Sequence, residues 1–433
     1  MSIEKYGLKG TPNSGLTSAT LGFFVGFAAV ALFGPTAKKL QTVMGFSATM
    51  LGFLVAAPNL TGSLLRIPFG AWVDKVGGKK PLMVLLVISI IGMLGLTSLL
   101  YFNYPDNLGM SYYPLVFFFG LLSGSGVATF SVGIPQTSYW FPIKKQGIAL
   151  GTYAGLGNTA PGIFTVLLPL ALAAFGLAGS YLAWTIFLII GLIVYAVICH
   201  DAYYFQLVDK GKSRDEAITI AKELGQELIP TGQLIPALKK SAKIGRTWAL
   251  VFLYFTSFGG FLALTVWFPS YWLHYYGFGL KTAALLGGVG FSLLASFIRV
   301  YGGHLSDKKG GEIVAVLSFA LVGIGAIIMI FSATFIISLI GELLIGVGMG
   351  VANAAVFKLV AKYVTEAVGG ASGWVGGLGA FGGFVVPPIL GMFVDIYGKT
   401  GYATGFVVYL LLAVACLVTA LALKKKFENK IMV

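Results

Sequence analysis

Apolar residues in this chain come in unbroken blocks of about twenty, the length a helix needs to cross roughly 30 Å of hydrocarbon. Blocks near 15–36, 48–73, 81–101, 113–138, 147–171 and 179–199 are followed by others near 248–271, 282–303, 312–332, 334–358, 368–392 and 402–424. Each predicts a membrane-spanning helix, twelve in all. The one long polar interruption falls between the sixth and seventh blocks. The pattern predicts an all-α membrane protein of two six-helix bundles, residues 1–200 and 247–433, joined by a linker at 201–246. Within the linker, Ser213-Arg214-Asp215-Glu216 has the spacing of a capping box. The stretch AITIAKELG that follows predicts a short amphipathic helix lying on the cytoplasmic membrane face.

Composition agrees: 57% hydrophobic and 10% charged residues over 433 positions exclude an ordinary soluble globule. The net charge of +14 changes the picture only through its distribution. Lysines gather at alternate block ends: Lys75, Lys79 and Lys80; Lys144 and Lys145; the linker; Lys308 and Lys309; Lys358 and Lys362; Lys424, Lys425 and Lys426. By the positive-inside rule both termini and the linker face the cytoplasm, which predicts a multi-pass protein of the cytoplasmic membrane. This arrangement is an orientation signal and excludes a nucleic-acid partner. No cleavable leader pattern opens the chain. Cys199 and Cys416 sit in apolar helix ends as core residues.

Enzyme chemistry is not visible. His200, His274 and His304 are dispersed, and two cysteines do not make a zinc cluster, so no metal or catalytic residues are expected. Gly155-Leu-Gly157 lies in a span with no strand before it, which excludes a nucleotide fingerprint and leaves no cofactor implied.

Two arginines do stand out. Of the four in the chain, Arg66 and Arg299 lie inside apolar blocks, where such a charge costs about 2.5–3.5 kcal/mol on insertion scales and commonly marks a substrate path. Both precede an aspartate by eight residues, in Arg66-I-P-F-G-A-W-V-Asp74-K-V-G-G and Arg299-V-Y-G-G-H-L-S-Asp307-K-K-G-G, a repeat displaced by 233 residues. Further copies at a displacement of 222 pair GSGVATFS from Gly124 with GVGMGVAN from Gly346. The same displacement pairs Gly151-T-Y-A-Gly155-L-Gly157-Asn158 with Gly373-W-V-G-Gly377-L-Gly379-Ala380. Repeats of this kind set a transporter's binding site where the two halves meet, so each half contributes one arginine. Guanidinium forks suit planar oxyanions. Of 15 acidic residues only Glu342 sits well inside a span, so the arginines lack fixed counter-charges. A bound anion supplies them, which biases the carrier toward exchange. Gly155, Gly157, Gly377 and Gly379 form close-packing faces suited to helix sliding. Asp74 and Asp307 are expected to pair with neighbouring helix ends and lock one conformation. Glu342 and His304 are the candidates for proton coupling.

These residues resemble the major facilitator superfamily, through D-K-V-G-G-K-K after the second span and D-K-K-G-G-E after the eighth. Within it they resemble the nitrate/nitrite porters, through the paired arginines and the motifs A-G-L-G-N-T-A-P-G and G-G-L-G-A-F-G-G-F. The resemblance spans nearly the whole chain and implies the major facilitator fold. It also implies secondary transport of nitrate and nitrite, by exchange or with protons, in a functional monomer within the lipid bilayer. It places the anion between Arg66 and Arg299, with Asn158 donating to it and Phe130, Tyr254 and Phe258 flanking it. Pro161 interrupts the family's glycine run, and the short linker matches prokaryotic porters. The alternative is an exchanger of another small anion, such as formate, oxalate or a monocarboxylate. Carboxylate exchangers of the superfamily often carry a lysine in the eleventh span, and residues 368–392 contain none.

Overall fold

The computed structural model describes residues 3–230 and 234–431, and among them all regular structure is helical. Residues 1–2, 231–233 and 432–433, which fall within the predicted bundles and linker, lie outside the described residues. Eleven helical stretches are long and apolar enough to cross a membrane, which makes this a multi-pass membrane protein. One of them, Ile143–Ile198, has 56 residues and would measure about 84 Å if straight. Gly176, at φ 68° and ψ −174°, breaks it into a fifth and a sixth span. Counting it as two gives twelve crossings among the described residues, with a glycine hinge where the hydropathy blocks predict a short loop.

Capping sets several of the ends. Thr11 and Ser14 form a reciprocal capping box ahead of Pro12 at the first span (Pro12–Ala31), and Ser47 accepts from Met50 N at the second (Ala48–Val76). The repeated D-K-x-G-G motif has a backbone reason. The second span and the eighth (Leu280–Lys309) each stop at a glycine with positive φ, Gly77 at 82° and Gly310 at 88°, a conformation that side-chain-bearing residues avoid.

The linker is not a membrane-surface helix. Helices Tyr203–Asp209 and Arg214–Glu223 bury Tyr203, Phe205, Ala217, Ile220 and Ala221 against Leu8 and Trp140, so the apolar face predicted for the lipid surface is satisfied by protein. Ser213 Oγ does accept from Glu216 N at 3.3 Å. The Glu216 carboxylate turns instead to Lys212 Nζ, 3.2 Å away. The rest of the linker, helix Leu234–Ala242, rides on the eleventh span (Thr365–Thr404), where Trp374 Nε1 donates to Leu238 O at 3.0 Å.

Asp201 ties the start of the linker to the turn after the second span. Its Oδ1 accepts from Lys79 N at 2.9 Å, and a Cβ on Gly77 would collide with its carboxyl group. Burial lifts this carboxyl from an ordinary 3.8 to about 6, against the backbone N–H groups of Lys79 and Gly78 that hold it down. Because the folded-state value lies above the unfolded one, the folded chain holds the proton more tightly. Stability is therefore highest below pH 4 for this group and falls as pH rises from about 4 to about 6. An amide oxygen in place of the carboxylate still accepts the N–H bonds without burying a charge. Asp201→Asn should therefore raise the unfolding temperature by a few degrees at pH 7.5 and have little effect near pH 4, as thermal unfolding in detergent at the two pH values will read.

On the face opposite the linker the two halves meet tightly. The Asp395 carboxylate, late in the eleventh span, accepts from Ala48 N and Thr49 N at 2.8 Å each. It thereby supplies an anion to the exposed N–H groups at the start of the second span. Backbones also touch there, with Gly52 against Pro387 O and Gly391 against Ala48 O. On the linker face the fifth span is free near its start, since a Cβ on Gly147 or Gly151 would meet nothing within 4 Å. The molecule is thus closed on the face opposite the linker.

Candidate anion-binding site

Arg66 is 2% exposed, in the middle of the second span. One of its nitrogens has a local explanation. The eleventh span is broken between Leu378 and Gly382, which deprives the carbonyls just before the break of helical partners. Arg66 Nη1 donates to one of them, Gly376 O, at 2.8 Å and across the two halves. Its Nε and Nη2 have no partner among the described residues. That edge is one a planar oxyanion can engage with two parallel hydrogen bonds.

Two aromatic rings organise the surroundings. Phe130 of the fourth span (Met110–Ser138) and Phe258 of the seventh (Gly245–Tyr275) lie nearly parallel, 6.0 Å between centroids and 26° between planes. The guanidinium carbon of Arg66 is 4.9 Å from the first centroid and 5.1 Å from the second. For Arg299, from the other half, the distances are 5.9 and 5.7 Å. Both cations therefore converge on one pair of quadrupolar rings. Arg299 Nη1 is buried without a partner, and no carboxylate forms an ion pair with either arginine among the described residues. Phe258 lies in a π-helical turn, Phe255–Gly259, a local widening frequent at functional sites. Tyr254, just before it, stacks on Phe258 at 5.0 Å and 15° and leaves its buried hydroxyl unbonded.

The fifth span breaks at the repeat position equivalent to the break in the eleventh. Its helix ends at Gly157, and the next begins at Ala160. Asn158 sits in the break, 1% exposed, with Oδ1 unbonded. Its backbone carbonyl accepts from Ser296 Oγ at 2.9 Å, one turn before Arg299. Each broken helix thus faces the arginine helix of the opposite half. The four glycines divide accordingly. Gly377 lies against Ile67 and Gly155 against Val300, the residues that follow the two arginines, whereas Gly157 admits the ring of Phe23 and Gly379 that of Tyr254.

Other predicted residues stand apart. Asp74 accepts from Tyr139 OH, and Asp307 from Lys358 Nζ at 2.6 Å; each partner belongs to the aspartate's own half. The contact between the halves on the opposite face rests on Asp395 instead. His304 is exposed. Glu342 is fully buried, with Trp272 Nε1 donating to its Oε2 at 2.9 Å and Oε1 unbonded. It lies three turns from the arginine level of the tenth span (Phe335–Tyr363), about 16 Å along the helix.

Sequence reasoning missed the Gly376 carbonyl and Ser296, which stands three residues before Arg299 and bonds to the break in the fifth span. The second omission was avoidable, since Ser63-L-L-Arg66 and Ser296-F-I-Arg299 extend the 233-residue repeat upstream.

Comparison with known proteins agrees with this geometry. A family model described as Major Facilitator Superfamily matches residues 19–312 and 284–430. The probable nitrate/nitrite antiporter NarK1 of Thermus thermophilus is 29% identical over 95% of this chain and 92% of its own length. The probable nitrate/nitrite transporter NarK2 of Mycobacterium tuberculosis is 30% identical over 94% and 95%. The probable nitrate transporter NarT of Staphylococcus epidermidis is 28% identical over 95% and 97%. Among solved structures, the xylose transporter XylE from E. coli, in a partially occluded inward-open conformation, superposes with a TM-score of 0.71 at 16% identity, covering 96% of this chain and 99% of that one. At that identity the likeness speaks for the fold alone. The chain belongs to the Major Facilitator Superfamily and, within it, to the nitrate/nitrite porters.

Proposed function

We propose that this protein is a secondary transporter that exchanges nitrate and nitrite across the cytoplasmic membrane by alternating access, with the halves 1–200 and 247–433 rocking about an anion held between Arg66 and Arg299. The observation that carries this reading is the convergence of two guanidiniums, one from each half, on the Phe130–Phe258 pair. Both have unbonded nitrogens, and neither has a carboxylate partner among the described residues. The two aromatic faces beside the guanidiniums suit a planar ion better than a tetrahedral sulfate or phosphate. Asn158 and the Tyr254 hydroxyl, which has no partner among the described residues, are assigned as further donors to the anion.

The linker and both termini are assigned to the cytoplasm on the lysine distribution. The closed face is then extracellular, and the conformation is inward-facing. Exchange follows from electrostatics. Two cations confined in a low-dielectric cleft oppose its closure unless an anion lies between them, so the empty carrier returns slowly. Glu342 lies about three turns from the arginine level and is held by Trp272, which favours exchange over proton-coupled uptake through it. Gly155 against Val300 and Gly377 against Ile67 are the close contacts about which the halves rock. The protein works as a monomer, since one chain supplies both arginines.

Purified protein in liposomes tests this directly. Labelled nitrate should enter vesicles preloaded with nitrate or nitrite at least tenfold faster than vesicles that are empty or hold chloride or formate, with little response to an imposed pH gradient. Equal entry into empty vesicles, or uptake that requires a proton gradient, defeats exchange. Faster counterflow against formate than against nitrite defeats the substrate assignment.

A further inference from the structure

Asn353 is a buried amide of the tenth span. Packing sets its register. Gly70, four residues after Arg66, abuts Ser131, and Gly303, four residues after Arg299, abuts Ala354. The residue before each contact is Phe130 in one half and Asn353 in the other. Asn353, and not the Ala352 that a displacement of 222 assigns, is therefore the packing counterpart of the ring that faces both guanidiniums.

Helical spacing places it independently. Residues three and four apart share a helix face. Met349 lies against Gly260 of the seventh span, and Phe357 packs on Tyr254 at 5.0 Å. Gly350 rests on Ala295 and Ile298 of the eighth span. Asn353 is four residues from the first two and three from the last. It thus looks between the seventh and eighth spans at the level of Phe258, where the Arg299 guanidinium arrives. It is 2% exposed, its Oδ1 is unbonded, and no hydrogen bond forms from its side chain among the described residues. A buried amide without partners is costly to keep, which the packing of this face does not explain.

We propose that Asn353 is a substrate ligand of the C-terminal half that distinguishes nitrate from nitrite. This rests on the nitrate/nitrite reading. Two guanidiniums approaching from opposite halves engage two oxygens, which both ions possess. The third oxygen exists in nitrate alone, and the Asn353 amide N–H is the donor for it. A site built to hydrogen-bond a group discriminates strongly against the analogue lacking it, and removal of the donor erases that discrimination.

Counterflow kinetics with Asn353→Ala measure this. Half-saturating nitrate should rise about tenfold, the usual worth of a hydrogen bond to a charged group, while half-saturating nitrite changes less than about threefold. Asn353→Asp keeps the shape and places a carboxylate against the anion; it should abolish transport of both ions at pH 7.5. Parallel shifts for the two ions in Asn353→Ala, no shift, or normal transport by Asn353→Asp at pH 7.5 overturns the assignment. Failure of the unmodified protein to exchange nitrate would instead defeat the reading on which it rests.

Discussion

Nitrate counterflow should fall roughly 100-fold when Arg66 is replaced by lysine, and nearly as far for Arg299→Lys, with the fold intact in both. Lysine keeps the positive charge, so the loss measures geometry. A guanidinium presents parallel donors in one plane, whereas an ammonium is a point charge with no fork. For Arg66 the loss has two sources: the unbonded Nε–Nη2 edge proposed to meet the anion, and the Nη1 bond to Gly376 O that fixes the plane of the group. Contact with the two phenylalanine faces adds to this, because a flat cation stacks where a compact one does not. Loss of a charge-assisted hydrogen-bonded pair is worth about 1.5–3 kcal/mol, which is ten- to a hundredfold in binding. Arg66 should be the more sensitive, being enclosed and bonded across the halves. Thermal unfolding in detergent should move by no more than a few degrees. Near-normal nitrate exchange in both lysine variants would remove the arginines from the mechanism.

Sequence legibility followed energetic cost. A buried cation in a membrane is expensive, so two arginines in apolar blocks announce a site before any fold is known, and the repeat tells which half each belongs to. Phe130, Tyr254, Phe258 and Asn158 were then reachable through family resemblance; Phe130 and Phe258 lie against both guanidiniums, Tyr254 stacks on Phe258, and Asn158 is tied through its carbonyl to Ser296 on the Arg299 helix. What escaped was set by packing. Gly376 matters through a carbonyl, which every residue has, and only the helix break after it makes that oxygen available. Asn353 was hidden by a register shift of one residue between the repeats, too small for motif alignment to resolve. Glu342 looked like a proton carrier because buried carboxyls are rare, but depth along the helix separates it from the cleft. Asp74 and Asp307 sit at equivalent positions and bond within their own halves, whereas Asp395, which ties the halves together on the face opposite the linker, is in no repeated motif.

The closed face opposite the linker rests on glycines, and Gly52→Leu or Gly391→Leu should arrest the carrier with that face open. A Cβ at Gly52 would overlap Pro387 O, and one at Gly391 would overlap Ala48 O, each closer than the 3.0 Å that real Cβ contacts respect. Both oxygens are backbone atoms of the opposite half, so no rotamer change relieves the overlap. The clash exists only while the halves touch there. A substitution that penalises one of two states shifts the population by its differential cost, and about 5.5 kcal/mol carries an equilibrium from 99:1 to 1:99. Overpacking by itself costs about 1–3 kcal/mol where neighbours can yield; against a fixed backbone the larger figure is within reach, and the two substitutions together should exceed it. Exchange should then fall about 100-fold or more, while the protein stays folded and still gains thermal stability from added nitrate. Spin labels at Asn107→Cys and Lys399→Cys, on exposed loops of the two halves at this face, should report a longer distance in the leucine variants than in the parent. Gly279→Ala, on the same face where an added Cβ meets nothing within 4 Å, should transport normally. An unchanged label distance together with lost transport would show that the glycines serve folding and not the motion of the halves.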